Sequence, residues 1–278
     1  MSEVVNGLWI QGQLSSMEML TVQSFLSNGF TFQLWTYEPE TMHAPRGTII
    51  KDAHEILPSS QVFSYRNATL HGHGKGSYAG FSDIFRYKLL YEHGGIWTDM
   101  DITCLKPFEL RDDYFFRFHF VNGAVGNFMK CPKHSPVMKW CYEHAAAKVT
   151  EDSKDWMLPI RILNEGIEQS GLSGYIKKIS NNDSFPEVAR LLSANAEVPS
   201  EWLIIHWMNE EWRRFRIDKN IALKESVYHT LLKKYHVPVK SLSFRESLAY
   251  RIRIHDYIYL LVTSYHAYKS RLSKNNPI

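Results

Sequence analysis

Two carboxylates one residue apart, Asp99 and Asp101, close the mostly apolar stretch GGIWTDMDIT. Carboxylates held that close repel each other, and one is driven toward its neutral form unless a cation lies near them. A hard divalent ion such as Mg²⁺ or Mn²⁺ takes oxygen ligands and removes that cost, commonly sharing one or two carboxylates with substrate phosphates. Two solvated acids at a strand end give the same spacing, so the spacing alone leaves both readings open. Upstream, Asp83 and Arg86 in SDIFRY are three apart and share a face if that segment is a helix. His206, in the apolar run WLIIHW, is either a satisfied core histidine or a ligand. Trp9 and Trp97 are open between core packing and a pocket wall.

These side chains need elements to hold them. Alternation along an extended strand from Ile96 to Ile102 puts Trp97, Asp99 and Asp101 on one side. Before it, Phe81, Ile84, Phe85, Leu89 and Leu90 recur at helical spacing, with Asp83 in the first turn and Gly94-Gly95 at the end. The N-terminal part predicts a βαβ unit. Leu8 to Ile10 is a strand, and Ser15 and Glu18 have capping-box spacing. Asn28-Gly29 closes that helix, and Phe30, Phe32 and Leu34 alternate as a second strand. A short link from helix to strand fits a doubly wound parallel sheet, in which ligands bind beyond the carboxyl ends of strands. No G-x-G-x-x-G follows the first strand, which argues against a dinucleotide.

Elsewhere the pattern is coarser. From Pro45 to Gly80 the signal is weak, and HGHGKG (His71 to Gly76) reads as a mobile surface loop ahead of a metal or phosphate site. FRFHFVNGAVGNFMKC predicts a strand or hairpin, and SPVMKWCYEHAAAKV and DWMLPIRILNEGIEQSG predict helices. Leu203 to Trp207 reads as a strand running into a polar-aromatic loop, and the chain beyond Ala222 reads as helical and basic.

The bulk numbers set limits. With 278 residues, 44% of them hydrophobic, the chain can build a core large enough to hold a cleft. The expected division is a catalytic domain over 1–220 and a helical region over 221–278, packed on that domain or set on a membrane. A net charge of +3 is too mild to argue for nucleic acid. Three cysteines, Cys104, Cys131 and Cys141, do not make a disulfide framework, and with His134 and His144 they lack paired zinc spacing. The start, MSEVVNGLWIQGQ, carries no basic-then-apolar leader, and YIYLLV is too short to span a bilayer. The expectation is a cytoplasmic protein. Arg245, Arg251, Arg253 and Lys269 with Tyr257, Tyr259 and Tyr265 offer an interfacial helix at the inner face of a membrane, or a helix packed on the domain.

The segment SDIFRY followed by GGIWTDMD resembles the donor site of the D-x-D glycosyltransferases that include bacterial capsular and lipopolysaccharide enzymes, the yeast initiating mannosyltransferases and the clostridial glucosylating toxins. The resemblance is strong over Phe81 to Phe108. LWIQG resembles the family's first strand, although Gln11 replaces its first glycine; LWTYE and IIHWMNEEW are weaker matches. It implies a GT-A fold, a Rossmann-like and mostly parallel sheet flanked by helices, and a Mn²⁺- or Mg²⁺-dependent hexosyltransferase. The donor would be a nucleotide sugar, UDP-hexose before GDP-sugar, and the acceptor a glycan or lipid-linked glycan in surface polysaccharide synthesis. Transfer would retain anomeric configuration. By the same resemblance Trp9 would stack on the base, with Tyr37 near the nucleoside and Ser82 near the ribose. Asp83 and Arg86 would bind donor-sugar hydroxyls, and Trp97 would wall the pocket. Asp99 would contact ribose, sugar or metal, Asp101 would ligate the metal, and Asn127 would touch the sugar. Trp212 would reach the phosphate or the glycosidic oxygen from a closing C-terminal loop. His206 would complete the metal shell, or Asn209 or Glu211 in its place.

Two other classes compete. DMDIT also fits the D-x-D-x-T of haloacid-dehalogenase-type phosphatases, in which the first Asp is phosphorylated. That reading expects the motif near the N-terminus and a later acidic pair, and Asp112-Asp113 follows too closely. A sugar-nucleotide-binding module without turnover is the third.

Overall fold

The computed structural model describes residues 3–69, 73–240 and 242–252. Strand β1 (Val4–Trp9) leads into helix α1 (Ser16–Ser27), where the Ser15 side chain and Glu18 form the predicted capping box. Strand β2 (Thr31–Thr36) follows, parallel to β1. β1 starts earlier than the apolar cluster Leu8 to Ile10 suggests, because Val5 and Leu8 sit in core around the polar Asn6, which bonds to the Ile96 carbonyl and the Trp35 indole. The weakly patterned region after Pro45 supplies β3 (Ile49–Asp52), an edge strand paired with β2.

Helix α2 (Ala79–His93) carries Asp83 and Arg86 and stops at Gly94. Gly94 and Gly95 take φ of 69° and 90°, and a Cβ on Gly94 would lie 2.5 Å from the Lys133 nitrogen, so the chain turns into the sheet there only with glycine. Strand β4 (Gly95–Thr98) is short, and this corrects the single strand expected from Ile96 to Ile102. Residues Asp99 to Asp101 form a turn, and β5 (Ile102–Cys104) pairs elsewhere. The chain continues through the expected hairpin β6 (Phe115–His119) and β7 (Gly123–Cys131), then α3 (Pro136–Lys148) and α4 (Leu158–Gln169). Next come β8 (Ile176–Lys177), α5 (Phe185–Ser193), β9 (Ile204–His206), α6 (Asn209–Arg214) and α7 (Val227–Lys234). α6 stands where a loop is expected.

The main sheet has the order β3-β2-β1-β4-β7-β6-β8, with β5 and β9 in a second, two-stranded sheet. Pairing is parallel from β3 to β4 and between β6 and β8, while β7 runs antiparallel to both of its neighbours. The expected α/β class with a mostly parallel sheet flanked by helices is therefore the observed one. β1 has β2 on one side and β4 on the other, so the chain reverses its winding between β1 and β4; the crevice beyond their carboxyl ends is where open α/β sheets bind ligands. One face of the sheet packs Trp35, Phe85, Trp97 and Leu163, and the other packs Phe25, Phe32, Phe128 and Ile204. A third cluster joins Met17 and Leu20 of α1 to Leu191 of α5 and Tyr228 and Leu231 of α7. No described helix is long and apolar enough to cross a membrane. Of the basic-aromatic C-terminal group, Arg253, Tyr257, Tyr259, Tyr265 and Lys269 lie outside the described residues, and Arg251 donates to the Ser193 carbonyl at 2.8 Å.

Candidate active site at the β4–β5 turn

The break after Thr98 gives the two acids separate partners. The Asp99 backbone N–H is held by the Asn127 carbonyl at 2.8 Å, the last rung between β4 and β7. Its Oδ1 accepts the Trp97 indole N–H at 2.8 Å and lies 3.1 Å from Arg86 Nη2. Asp101 is held from the other side: its carbonyl accepts from Trp207 N–H at 2.9 Å and its Oδ2 from Asn209 N–H at 2.7 Å. The β5–β9 register sets Ile102 opposite His206, which brings His206 Nε2 to 3.3 Å from Asp101 Oδ2.

Arg86 is buried and shared. Nη1 is 3.3 Å from Asp83 Oδ1, its guanidinium carbon lies 5.2 Å from the Trp97 ring centroid, and the Ser82 carbonyl accepts from Nε at 3.3 Å. Gly126 makes room for it, since a Cβ there would stand 2.9 Å from Nη1. Burial pushes the Asp83 carboxyl up to about 6, with Arg86 opposing and Asp99 adding to the rise. Burial also raises Asp99, against the pull of Arg86 and with the push of Asp101. Burial works against the Arg86 charge, but Asp99 and Asp83 outweigh it and its pKa lies above the ordinary value.

His206 is bracketed by acids, with Nδ1 at 2.7 Å from Asp183 Oδ1. Burial disfavours its charge, yet Asp183 and Asp101 together raise it to about 10. Asp101 follows the same logic in reverse: burial lifts it, and the His206 charge, with hydrogen bonds from His206 and Asn209, brings it below the usual carboxylate range.

The donor set fits a hard divalent ion in part. Among the described residues no three His, Cys, Asp or Glu side chains converge into an ion cage. Asp99 Oδ2 and Asp101 Oδ1, however, take no hydrogen bond from any described residue, because Trp97 and Arg86 reach Asp99 Oδ1, and Asn209 and His206 reach Asp101 Oδ2. Two free carboxylate oxygens on one turn suit Mg²⁺ or Mn²⁺, which fill their shells with water and substrate phosphates. His206 in this arrangement is a cation donating to Asp101; it would ligate only through Nε2 freed of its proton.

The remaining expected residues divide. Trp9, half-buried at the end of β1, donates to the Gly12 carbonyl and carries Lys219 Nζ 5.3 Å above its ring. Tyr37, just past β2, donates to the Leu57 carbonyl, and burial raises its hydroxyl. Ser82 lies one turn before Arg86 and accepts from it at 3.4 Å. Trp97, only 1% exposed, packs on Phe85 and donates its indole N–H to Asp99. Trp212 is 0% exposed, with its indole N–H bonded to the Trp207 carbonyl and its ring against Tyr228. Asn127 turns its Oδ1 to Arg117 at 3.3 Å and its Nδ2 toward His206. Asn209 meets Asp101 through its backbone, and Glu211 is committed to His73 and Arg214. The His73–Glu211 pair, with Gly74 N–H on Glu210, ties the described part of HGHGKG to α6, while Lys75 and Gly76 stay exposed at the surface.

Sequence reading missed Arg117, Asp183 and Lys219. They are single polar residues on separate elements, with no spacing to mark them. Lys219 pairs with the buried Glu18, and its charge is felt at Asp101. The phosphatase reading lacks its second acid pair: Asp112-Asp113 precede Phe115, which pairs with Lys130 beside the start of β4, at the end of the strands away from Asp99.

A search of curated protein sequences finds no match to this chain. Among solved structures it is similar to the PaToxG glycosyltransferase, with a TM-score of 0.44 and 11% identity over 91% of this chain and 84% of that one. It is also similar to a double cysteine-to-serine mutant of a transferase, with a TM-score of 0.38 and 10% identity over 61% of this chain and 85% of that one. Likenesses this distant say nothing of activity. Residues 16–116 match the model of the glycosyltransferase sugar-binding region containing the DXD motif. The matched span takes in Ser82, Asp83, Arg86, Trp97, Asp99 and Asp101, ends before Asn127, His206 and Trp212, and supports sugar transfer as the class of activity.

Proposed function

We propose that this protein transfers a sugar, a UDP-linked hexose before a GDP-linked one, to a hydroxyl of a glycan or lipid-linked glycan. The observation that carries the reading is the meeting of the Asp83–Arg86–Asp99 chain with Asp101 at the switch point between β1 and β4, inside the matched segment. In this reading Trp9 at the end of β1 would stack on the base, Tyr37 and Ser82 would border the nucleoside, and Asp83 and Arg86 would bind sugar hydroxyls. Asp99 and Asp101 would hold Mn²⁺ or Mg²⁺ through their free oxygens, with His206 as the candidate third ligand. Such an ion supplies positive charge to a departing diphosphate. In the reaction the bond from the anomeric carbon to the phosphate oxygen breaks, a bond to the acceptor oxygen forms, and the acceptor hydroxyl gives up its proton. Retention of configuration and a role in surface polysaccharide synthesis at the inner membrane face belong to the same reading.

The test is release of nucleotide diphosphate from a panel of UDP- and GDP-sugars with Mn²⁺. One donor should be consumed slowly by water and faster with its acceptor. Asp101→Asn keeps an oxygen for the Asn209 N–H, so it should fold and lose transfer at least a hundredfold. Near-normal turnover in that variant, or binding of every donor without release, sinks the reading.

A further inference from the structure

Arg117 is 0% exposed in the middle of β6, and every donor on it is used. Nε donates to Ser180 Oγ at 2.6 Å, and Nη2 to the Asn181 carbonyl at 2.8 Å. The two terminal nitrogens grip Asp183 in a fork, Nη1 to Oδ2 at 2.8 Å and Nη2 to Oδ1 at 2.6 Å. A forked arginine–carboxylate pair fixes the carboxylate in plane as well as in place. Thus one buried guanidinium sets the conformation of the whole loop from Ser180 to Asp183.

That loop meets His206 through Asn181 and Asp183. Asn181 pairs with the His206 backbone in both directions, its Oδ1 accepting the N–H at 2.9 Å and its Nδ2 donating to the carbonyl at 3.0 Å. Asp183 takes the ring, with Oδ1 at 2.7 Å from Nδ1. With Nδ1–H committed there, Nε2 points to Asp101. A metal-binding histidine is usually oriented in this way, by a carboxylate on its other nitrogen.

We infer that Asp183, clamped by Arg117, is the positioning residue that aims His206 Nε2 at the Asp101 side of the site. The inference rests on the sugar-transfer reading only in taking the Asp99–Asp101 turn as the ion site. It adds a specific claim: Asp183 touches no donor or acceptor, and acts through one imidazole.

The experiment is a double-mutant cycle on Mn²⁺ affinity, measured with the metal alone by the loss of the free-ion EPR signal. Asp183→Asn should weaken Mn²⁺ binding about 10- to 100-fold, and Asp183→Glu should recover much of it by restoring the charge. In a His206→Ala background the Asp183→Asn change should cost less than about threefold. Thermal melts identify variants folded at the assay temperature; if Asp183→Asn does not fold, Arg117→Lys, whose single ammonium cannot fork Asp183, takes its place and should also weaken Mn²⁺ binding, unchanged affinity again overturning the inference. Unchanged Mn²⁺ affinity in Asp183→Asn, or an equal loss with and without His206, overturns the inference. A wild-type protein that takes up no Mn²⁺ overturns the metal reading itself, and the inference with it, which is a different result from either.

Discussion

Arg86 and Asp99 form an ion pair at 3.1 Å that ties helix α2 to the turn after β4. Since Asp83 shares the same guanidinium, a single buried cation serves two acids, and Asp101 is left to His206. The four acids around the turn, Asp83, Asp99, Asp101 and Asp183, are thus divided among Arg86, His206 and Arg117. Asp99 Oδ2 and Asp101 Oδ1 take no part in this division among the described residues.

Removing Arg86 should therefore cost both fold and function. Arg86→Met leaves Asp83 and Asp99 buried without their cation, and breaking a buried pair in this way costs about 3 kcal/mol. Urea denaturation should show that loss. Arg86→Lys should recover part of the stability and little of the transfer, because one ammonium cannot bridge two acids as the planar guanidinium does.

Gly126 separates the two effects. Its added Cβ would meet Arg86 Nη1 at 2.9 Å and Cδ at 3.4 Å. The side chain must shift, and its buried partners restrain it. Gly126→Ala should cost about 1 kcal/mol in denaturation but lower kcat/KM for the donor more than tenfold. A variant with wild-type kinetics would show that the Arg86 position is not needed.

Stability should depend on pH through the same cluster. His206 is raised from 6.5 to about 10, so the stability it contributes is complete below 6.5 and is lost as pH climbs through 10. Asp101 and Asp183 are lowered from 3.8, so their contribution is present above 3.8 and is lost as pH falls below it. In buffer with EDTA, unfolding free energy should fall by a few kcal/mol between pH 7 and pH 10. His206→Gln should flatten that alkaline slope, and an unchanged slope would assign it elsewhere.

Much of this was legible in the sequence where the signal is local. The Ser15–Glu18 cap, the α2 face with Asp83 and Arg86, and the glycine pair before β4 are set by neighbours within one or two turns. The β4–β5 break was not. The apolar alternation from Ile96 to Ile102 continues through it with no glycine or proline to mark a turn, and β5 forms by pairing with β9, a hundred residues away. The His206 surroundings were hidden for the same reason, since Arg117, Asp183 and His206 meet only through the tertiary fold.

Trp212 gives the last test. Its ring lies 5.2 Å from Tyr228, and its indole N–H holds the Trp207 carbonyl two residues before Asn209, whose own N–H caps Asp101. If its role is to pack that turn, Trp212→Phe should lose about 1–3 kcal/mol in denaturation, from the smaller ring and the orphaned carbonyl. Donor KM, measured well below the melting temperature, should stay within about threefold of wild type, because a residue without a ligand contact loses no binding energy. A tenfold rise in donor KM with unchanged stability would instead place Trp212 on the phosphate, and would require the 207–214 segment to open and turn its indole outward.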